Sequence, residues 1–344
     1  MRDIKIGLIG LGIIGQSYCQ HLNENKIKNA KIAAVTCRSE EKANWVKEHL
    51  SGVTIYETGE ALIQSNAIDA VIISTPHQSH PYFAKLAFAK NLHVLIEKPS
   101  GTDIVEVFQM NELAKKTQKK FGIMFDKRLE PIYIELKKIL EKQLIGKINR
   151  LNWTIGMYRS QGYYDSNEWR GTIKGEGGGV LLNQAQHQLD IMQWLFGMPE
   201  KVMGHCKIGK YHTIEVEDEF TGLMEFEDDL TGVFIASTGE KIESNRLEVV
   251  GEKGKIIAEN YHIKILTTDK DIEHTVNINE TQFEENQMRK VEMIQNWING
   301  IVFEEDSMVK GEEGILALII TQGFYQSFEK KQWIQLKDLF PYQS

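Results

Sequence analysis

The turn around Lys98 has residue types that could assist hydride transfer at a hydroxyl group. Lys98 stands between an apolar strand that ends at Ile96 and the ring of Pro99, which restricts the backbone there. An ammonium held in this way could bind a substrate hydroxyl and stabilise the alkoxide that forms as hydride leaves or arrives. A simpler alternative is that Lys98 pairs with Glu97 on the surface.

His187 is the candidate general base, because an unperturbed imidazole titrates near neutral pH. It lies in a helical pattern over residues 180–196, directly after the glycines 177–179. Helical spacing places Asn183, His187 and Asp190 on one face, where Asp190 could orient the imidazole ring. The alternative for a single histidine is a purely structural role.

A glycine loop near the start of the chain has the spacing of a dinucleotide-binding turn. The pattern Gly-x-Gly-x-x-Gly falls at Gly10, Gly12 and Gly15, between an apolar run and a helical stretch. Gly10 permits a tight turn, Gly12 lets the backbone approach a pyrophosphate, and Gly15 lets the helix pack close to the strand. The N–H groups of Ile13 and Ile14 would then face the anion. The alternative is a glycine-rich turn without a ligand.

The end of the second predicted strand carries the residues that discriminate between NAD and NADP. Cys37 stands about 20 residues after the glycine loop, where an NAD site places an acid. Arg38 and Ser39 follow it, and a guanidinium can pair with the 2′-phosphate of NADP. We therefore predict a preference for NADP(H), with NAD(H) as the other candidate. Arg38 can also be interpreted as a solvated loop side chain.

Two polar turns follow further predicted strands, over residues 74–80 and 97–99. Ligands of open α/β sheets bind in the crevice at the carboxyl ends of the strands, and prolines give both turns a restricted backbone. We therefore predict that both turns contact the cofactor. The predicted contacts are Ser74, Thr75, Pro76, His77, His80, Glu97 and Lys98.

Hydropathy patterns predict the elements that carry these residues. Residues 1–125 alternate short apolar runs with helical patterns and contain six predicted strands, which indicates a doubly wound parallel sheet of the Rossmann type. From about residue 202 to residue 278 one strand follows another with short turns, which favours an antiparallel sheet. The predicted fold class is α/β, with an N-terminal Rossmann domain over 1–125 and a second domain over 126–344.

Composition excludes several classes of protein. The formal net charge is −8, whereas a nucleic-acid-binding surface needs clustered cations. Three scattered cysteines cannot form a disulfide framework or a zinc site with normal ligand spacing. We therefore expect no metal, no nucleic-acid partner and a reducing compartment. No apolar stretch reaches the ~18 residues of a membrane span, and the glycine-broken N-terminus does not read as a signal peptide. The expected location is the cytoplasm, with no membrane partner.

Four motifs in order resemble the Gfo/Idh/MocA oxidoreductase family. They are the glycine loop, Ser74-Thr75-Pro76 with His80, Glu97-Lys98-Pro99, and the segment from Gly177 through His187 to Asp190. The resemblance covers essentially the whole chain. It implies a Rossmann domain followed by an α+β domain with a large, mostly antiparallel sheet, which binds substrate and packs its open face between subunits of a dimer or tetramer. It further implies hydride transfer between a nicotinamide ring and a sugar or polyol carbon, with Lys98 and His187 in the roles described above.

The chain departs from the family pattern in the substrate domain. Many members have an aspartate four residues before the histidine, where this chain has Asn183. An amide can orient a sugar hydroxyl but supplies no charge. A stretch of alternating aromatic and polar residues precedes the glycines, as a sugar cleft would require, although ordinary loop packing is the alternative. The predicted substrate contacts are Trp169, Arg170, Asn183 and His187, and Asn183 is also predicted to act in catalysis.

A further departure lies in the turn after the strand 70–74, where His77 replaces an asparagine found in many relatives.

The predicted function is a nicotinamide-dependent oxidoreductase that acts on a sugar, an inositol or a sugar derivative and forms a homodimer or homotetramer. Two alternatives remain: a cofactor-binding sensor without turnover, and an NAD-dependent glycoside hydrolase.

Overall fold

The computed structural model describes residues 2–259, 261–268, 271–275 and 282–341. The chain divides into two compact units. The first contains Met1–Asp126 and Gln282–Ile315, and the second contains Lys127–Thr281 and Leu316–Ser344. The predicted division into 1–125 and 126–344 does not include the return of residues 282–315 to the first unit.

The first unit is built on a parallel sheet of six strands in the order β3-β2-β1-β4-β5-β6. Its strands are β1 (Ile4–Ile9), β2 (Ala30–Thr36), β3 (Thr54–Tyr56), β4 (Ala70–Ile73), β5 (His93–Ile96) and β6 (Phe121–Ile123). Its N-terminal helices are α1 (Ile13–Asn23), α2 (Glu40–His49), α3 (Gly59–Gln64), α4 (His80–Ala89) and α5 (Ile104–Thr117). Every residue of β4 is buried, because helices cover both faces of a parallel sheet. The predicted Rossmann sheet is confirmed.

The segment that returns to this unit packs its apolar side chains against β6. Helix α10 (Gln282–Phe303) buries Ile294, Trp297 and Ile298. A Cβ atom at Gly122 of β6 would lie 3.3 Å from the Trp297 ring, and Gly122 also pairs with Lys310 in an isolated antiparallel bridge. The residues that contact β6 are distant from it in the sequence, so local hydropathy patterns do not predict these contacts.

The second unit contains a sheet of nine strands in the order β14-β13-β12-β11-β7-β10-β9-β8-β15. All neighbouring strands are antiparallel except β7 and β10, so the predicted mostly antiparallel sheet is confirmed. The strands are β7 (Ile148–Tyr158), β8 (Lys201–Ile208), β9 (Glu217–Glu225), β10 (Thr231–Ser237), β11 (Gly239–Gly251), β12 (Gly254–Glu259), β13 (His262–Thr267), β14 (Asp271–Thr275) and β15 (Ile334–Gln335).

Helices cover one face of this sheet. They are α6 (Pro131–Glu141), α7 (Gln161–Asp165), α8 (Ile173–Glu176), α9 (Gln186–Phe196) and α11 (Gly314–Lys330), which begins at the end of the first unit. Trp153, Phe220 and Phe234 are fully buried on the covered face, where the Phe220 ring packs edge-on against Phe324 of α11 at 4.7 Å. None of the helices in the described ranges has both the length and the hydrophobicity of a membrane span.

The predicted continuous helix over 180–196 is broken. Val180–Gln184 forms a π-helical turn, and α9 begins only after Ala185. The buried Glu217 carboxylate accepts hydrogen bonds from the backbone N–H groups of Gly179 and Leu181, both at 2.9 Å. These bonds satisfy the first N–H groups of the turn from outside the helix. The sequence spacing predicts that Asn183 and His187 lie on one face of a regular helix. This prediction is wrong, because the two residues belong to different helical segments.

Candidate active site

The glycine loop packs closely against the ends of β2 and β4. Gly10 has a φ of +101°, and a Cβ atom there would lie 2.5 Å from the carbonyl oxygen of Ser74. Its N–H donates to Thr36 Oγ1 at 3.2 Å, and its carbonyl accepts from Ser74 Oγ at 2.7 Å. A side chain at position 10 would therefore collide with backbone, so the tight turn requires glycine.

The other two glycines have different surroundings. A Cβ atom at Gly15 would lie 2.2 Å from the Gly10 carbonyl oxygen, whereas one at Gly12 would meet nothing within 4 Å. Helix α1 begins at Ile13 without a capping side chain and without an acid in its first turn, and Ile13 is 87% exposed. The first N–H groups of α1 thus carry the positive end of the helix dipole towards open space. This arrangement fits a pyrophosphate that is bound by backbone N–H groups without a side-chain contact.

A cavity of about 420 Å³ lies between the glycine loop and the ends of β2 and β4. Arg38 is exposed beside it, and its Nε donates to the backbone carbonyl of Glu57 at 3.3 Å. Ser39 accepts from Lys42 N and caps α2. Burial raises the pKa of the half-buried Cys37 thiol, although nearby Lys42 opposes that shift. Lys42 is a second cation in the cavity wall that the sequence analysis missed.

His80 connects the two predicted cofactor turns. Its side chain is fully buried, and its ring nitrogens lie 2.8 Å from the Pro99 carbonyl oxygen and 2.7 Å from that of Thr75. Ser79 Oγ adds a 2.7 Å hydrogen bond to Thr75 Oγ1. Burial lowers the pKa of His80. The imidazole of His80 therefore connects the two turns, and its predicted contact with the cofactor stays a prediction. Its neighbour His77 is also buried.

Glu97 and Lys98 lie at the end of β5, and the Lys98–Pro99 peptide is cis. One oxygen of Glu97 accepts a hydrogen bond from the hydroxyl of Tyr18, and the other accepts from the backbone N–H of Lys98 at 3.1 Å. Burial raises the pKa of Glu97, while Tyr18 and Lys98 oppose that shift. Tyr18 is fully buried on α1. Tyr18 is not among the predicted site residues, and its only sequence signal is its place on the buried face of α1.

In the second unit, Asn183 lies beside a buried carboxylate. Glu176 is 1% exposed and accepts hydrogen bonds from Asn183 Nδ2 and, at 2.6 Å, from the backbone N–H of Gly171. Because an amide replaces the aspartate of many relatives, the sequence predicts no negative charge at this location. The structure corrects that expectation. The only sequence signal is a glutamate directly before the glycines.

His187 is the second residue of α9 and is half-buried. The predicted partner Asp190 is fully buried, and its carboxylate accepts two hydrogen bonds from Arg128, from Nε at 2.7 Å and from Nη2 at 2.6 Å. Gln193 Nε2 donates to the same carboxylate at 3.1 Å. The main partner of Asp190 is thus an arginine that precedes α6, which the sequence analysis did not identify.

The predicted substrate contacts Trp169 and Arg170 meet Asn183 in a cluster around Tyr163. The Arg170 guanidinium stacks 4.3 Å from the Tyr163 ring and 4.7 Å from the Trp169 ring, and it donates to the Tyr163 hydroxyl. That hydroxyl lies 3.5 Å from Asn183 Nδ2 and accepts from Gln184 Nε2 at 3.0 Å. The sequence analysis left Tyr163 and Gln184 out of its predicted contacts.

The predicted residues divide between the two units. All the predicted cofactor contacts, with Lys98, belong to the first unit, and the predicted substrate contacts, with His187, belong to the second. Within the described residues, no group of three or more His, Cys, Asp or Glu side chains could hold a metal ion.

Two family models match the chain. Residues 4–125 match the model described as "Oxidoreductase family, NAD-binding Rossmann fold", and residues 133–257 match the "GFO/IDH/MocA C-terminal domain". The chain is 25% identical to the myo-inositol 2-dehydrogenase of Thermotoga maritima over 98% of this chain and 99% of that protein. It is 30% identical to an oxidoreductase of Formosa agariphila over 61% of this chain and 68% of that protein.

A solved structure has the same fold. The WlbA dehydrogenase from Bordetella pertussis, crystallised with NADH and UDP-GlcNAcA, superposes with a TM-score of 0.84 over 97% of this chain and 98% of that one. The two sequences are 21% identical. Both halves of the chain thus have counterparts in the same group of proteins, in the same order.

Proposed function

Since the chain belongs to the Gfo/Idh/MocA family of oxidoreductases, we propose that it catalyses hydride transfer between a nicotinamide cofactor and a hydroxyl or keto carbon of a sugar, an inositol or a sugar derivative. The observation that carries this proposal is the open, uncapped start of α1 behind a glycine loop that packs against the turn at Ser74. That loop binds the cofactor through Gly12, Ile13 and Ile14. When bound, the nicotinamide ring accepts or supplies the hydride.

In the direction of oxidation, we assign the substrate's proton and oxygen to two side chains. Lys98 binds the hydroxyl oxygen and stabilises the negative charge that develops on it. His187 accepts the hydroxyl proton as the C–H bond gives up its hydride and the C–O bond becomes a carbonyl. Reduction runs the same steps in reverse, with His187 donating the proton. The Glu97 carboxylate and the Lys98 backbone N–H fix the turn that holds the ammonium.

Asn183 orients the substrate, and Glu176 orients Asn183. Because the Glu176 carboxylate accepts from Asn183 Nδ2, the amide is fixed with its oxygen directed away from Glu176. A substrate hydroxyl can then donate to that oxygen. Glu176 also supplies the buried negative charge that an aspartate supplies in many relatives, so Asn183 is compatible with turnover.

We propose NADP(H) as the preferred cofactor and NAD(H) as the weaker one. Arg38 and Lys42 place two positive charges at the end of β2, where no carboxylate follows the strand directly. Replacing Arg38 by Ala should weaken NADP(H) binding about tenfold or more, since a charge-assisted contact is lost. Binding of NAD(H) should change little, and fluorescence titration of both reduced cofactors measures the difference. Equal weakening of both cofactors would contradict the assignment.

Turnover tests the function directly. A panel of sugars, inositols, uronic acids and sugar phosphates is scored by the absorbance of reduced nicotinamide, with wild-type protein and Lys98→Ala. Loss of alkoxide stabilisation should lower turnover about 10²- to 10³-fold and leave cofactor binding nearly unchanged. Equal turnover by the two proteins on an identified substrate would remove Lys98 from the mechanism. Cofactor binding without turnover across the panel would favour the sensor alternative.

We also propose a homodimer or homotetramer that forms through the open face of the nine-stranded sheet. Met203, Leu223 and Val233 are adjacent across β8, β9 and β10 on the face opposite the helices, and Leu223 is 45% exposed.

The proposed location is the cytoplasm, a reducing compartment, since Cys19, Cys37 and Cys206 form no disulfide.

A further inference from the structure

We propose that Arg159 and Arg170 bind an anionic group, a carboxylate or a phosphate, on the sugar or polyol substrate. This inference rests on the proposed function and deepens it, because it narrows the substrate from neutral sugars to sugar acids and sugar phosphates. The two residues belong to the second unit.

The two guanidinium groups share one aromatic ring. Arg170 lies 4.3 Å and Arg159 lies 5.4 Å from the centre of the Tyr163 ring, and both arginines are half-buried. Two like charges that contact the same ring repel each other, and partial burial strengthens the repulsion. Contact with the face of a tyrosine compensates only part of that cost. An anion bound to both guanidinium groups would compensate the remaining repulsion between them.

Among the residues that the structure describes, neither guanidinium has an anionic partner. Arg159 donates to the Tyr158 carbonyl at 2.9 Å and to Gln184 Oε1 at 2.8 Å, while Arg170 donates to the Tyr163 hydroxyl. All these acceptors are neutral, and within the described residues no Asp or Glu forms an ion pair with either arginine. The Nε atom of Arg170 is buried without a hydrogen-bond partner. A polar group that is removed from water is usually hydrogen-bonded, and the planar fork of donors of an arginine fits carboxylate and phosphate oxygens.

The arginine pair belongs to the substrate cluster. Gln184 accepts from Arg159 and donates to Tyr163, and the hydroxyl of Tyr163 lies 3.5 Å from Asn183 Nδ2. Asn183 is the residue that we assign to a substrate hydroxyl. The phosphates of the cofactor, by contrast, are assigned to residues of the first unit. The anionic group that fits Arg159 and Arg170 is therefore a substituent of the substrate.

The test compares matched substrates with and without an anionic group. Full-length protein is assayed at saturating cofactor with D-glucose, D-glucuronate and D-glucose 6-phosphate, and with myo-inositol and an inositol monophosphate. We expect kcat/KM to be at least about tenfold higher for an anionic member than for its neutral counterpart. Arg159→Gln and Arg170→Gln should each lower that value about 10- to 100-fold, and the loss of kcat/KM for the neutral counterpart should be clearly smaller. The better of glucuronate and glucose 6-phosphate identifies carboxylate or phosphate.

Arg2→Gln is the matched control, because Arg2 is an exposed arginine of the first unit that pairs with Asp69. It should change neither class of substrate. Arg170→Lys keeps the charge but not the fork, so it should recover part of the loss. Circular dichroism and thermal melting establish that each variant folds; if Arg170→Gln does not, Arg159→Gln carries the test.

Equal kcat/KM for neutral and anionic substrates in wild-type protein, or equal losses on both in the variants, would overturn the proposal. If no member of the panel is turned over, the proposed function fails separately. Calorimetric titration of glucuronate and glucose 6-phosphate into cofactor-loaded protein then decides the anion site. Binding that is weakened in Arg170→Gln supports the site, and equal binding by the two proteins refutes it.

Discussion

Glu176 places a carboxylate beside Asn183. Asn183 removes a carboxylate that many relatives carry, and Glu176, seven positions earlier, brings one to its amide. Both carboxylate oxygens of Glu176 accept from N–H donors, namely Asn183 Nδ2 and the backbone of Gly171. A buried carboxyl group without hydrogen-bond partners would be costly, and these two donors each satisfy one of its oxygens.

A charge exchange between these two positions tests this interpretation. Glu176→Gln replaces a carboxylate by a weaker acceptor, so at least one hydrogen bond to a buried donor is weakened. We expect turnover to fall about tenfold or more and stability to fall by about 1–3 kcal/mol. The double variant Glu176→Gln/Asn183→Asp returns a carboxylate to position 183 opposite an amide donor, and it should recover much of the activity. Steady-state kinetics and urea denaturation measure both effects; a double variant that is less active than Glu176→Gln would contradict the compensation.

Tyr18 tunes the carboxylate beside Lys98. Burial raises the pKa of Glu97, and the Tyr18 hydroxyl and the Lys98 ammonium lower it. The other charged groups that influence Glu97 are Asp126, which raises its pKa, and Lys290, which lowers it. Removal of the tyrosine hydroxyl should therefore raise the pKa of Glu97 further, because the ionised carboxylate loses a donor.

The prediction is a shift in the pH profile of Tyr18→Phe. If the ionised Glu97 supports Lys98, activity is lost as the pH falls through the pKa of Glu97. Since that pKa is higher in the variant, the acidic limb of kcat/KM should move to higher pH. A purely structural role for Tyr18 would lower activity equally at all pH values. Rate measurements across the pH range distinguish these outcomes, and an acidic limb that stays in place or moves to lower pH refutes the role.

At the scale of elements, the β1–α1 connection separates packing from binding. Gly15 is required because a Cβ atom would strike the Gly10 carbonyl at 2.2 Å, whereas Gly12 borders open space. The Gly-x-Gly-x-x-Gly pattern predicts both roles from the sequence, since the spacing implies a strand, a turn and a helix start. The contacts show that packing constrains position 15 and leaves position 12 open.

A pair of alanine variants distinguishes these roles. Gly12→Ala should melt within a few degrees of wild type but bind cofactor at least about tenfold more weakly, because its methyl group occupies the approach to the pyrophosphate. Gly15→Ala should lose about 1–3 kcal/mol of stability, since overpacking forces the backbone to move. Thermal melting and cofactor titration of the two variants measure both properties. The reverse pattern, with Gly12→Ala unstable and Gly15→Ala stable, would contradict the assignment.

The segment 180–196 shows a limit of element prediction. Its apolar pattern predicts one helix, but Glu217 of β9 draws the N–H groups of Gly179 and Leu181 towards itself. Glu217 in turn accepts from the Tyr325 hydroxyl at 2.7 Å. Neither partner is close to this segment in sequence, so local periodicity cannot reveal the break at Ala185.

At the scale of the whole molecule, the open face of the second sheet is the proposed surface between subunits. Leu223 lies opposite Met203 and Val233 in the strand register, and the three side chains form a small apolar patch on this face. Leu223→Glu should shift the protein from dimer or tetramer towards monomer, because it buries a charge without a partner in the interface. Light scattering coupled to size-exclusion chromatography measures the change. Tyr82→Glu, on an exposed tyrosine of the first unit, is the control and should have no effect; a Leu223→Glu variant that keeps the wild-type mass would refute the interface.

Patterns local in the chain were sufficient to predict the two sheets, the glycine loop after β1 and the turn at Lys98. Strand periodicity, glycine spacing and proline placement act over a few residues, so they can be read directly. The return of α10 to the first unit, the hydrogen bond from Tyr18 to Glu97, the carboxylate of Glu176 beside Asn183 and the cluster of Arg159 with Arg170 emerged only in the folded chain. Each depends on which side chains meet across elements, because burial and partner choice set the charge and orientation of a polar group.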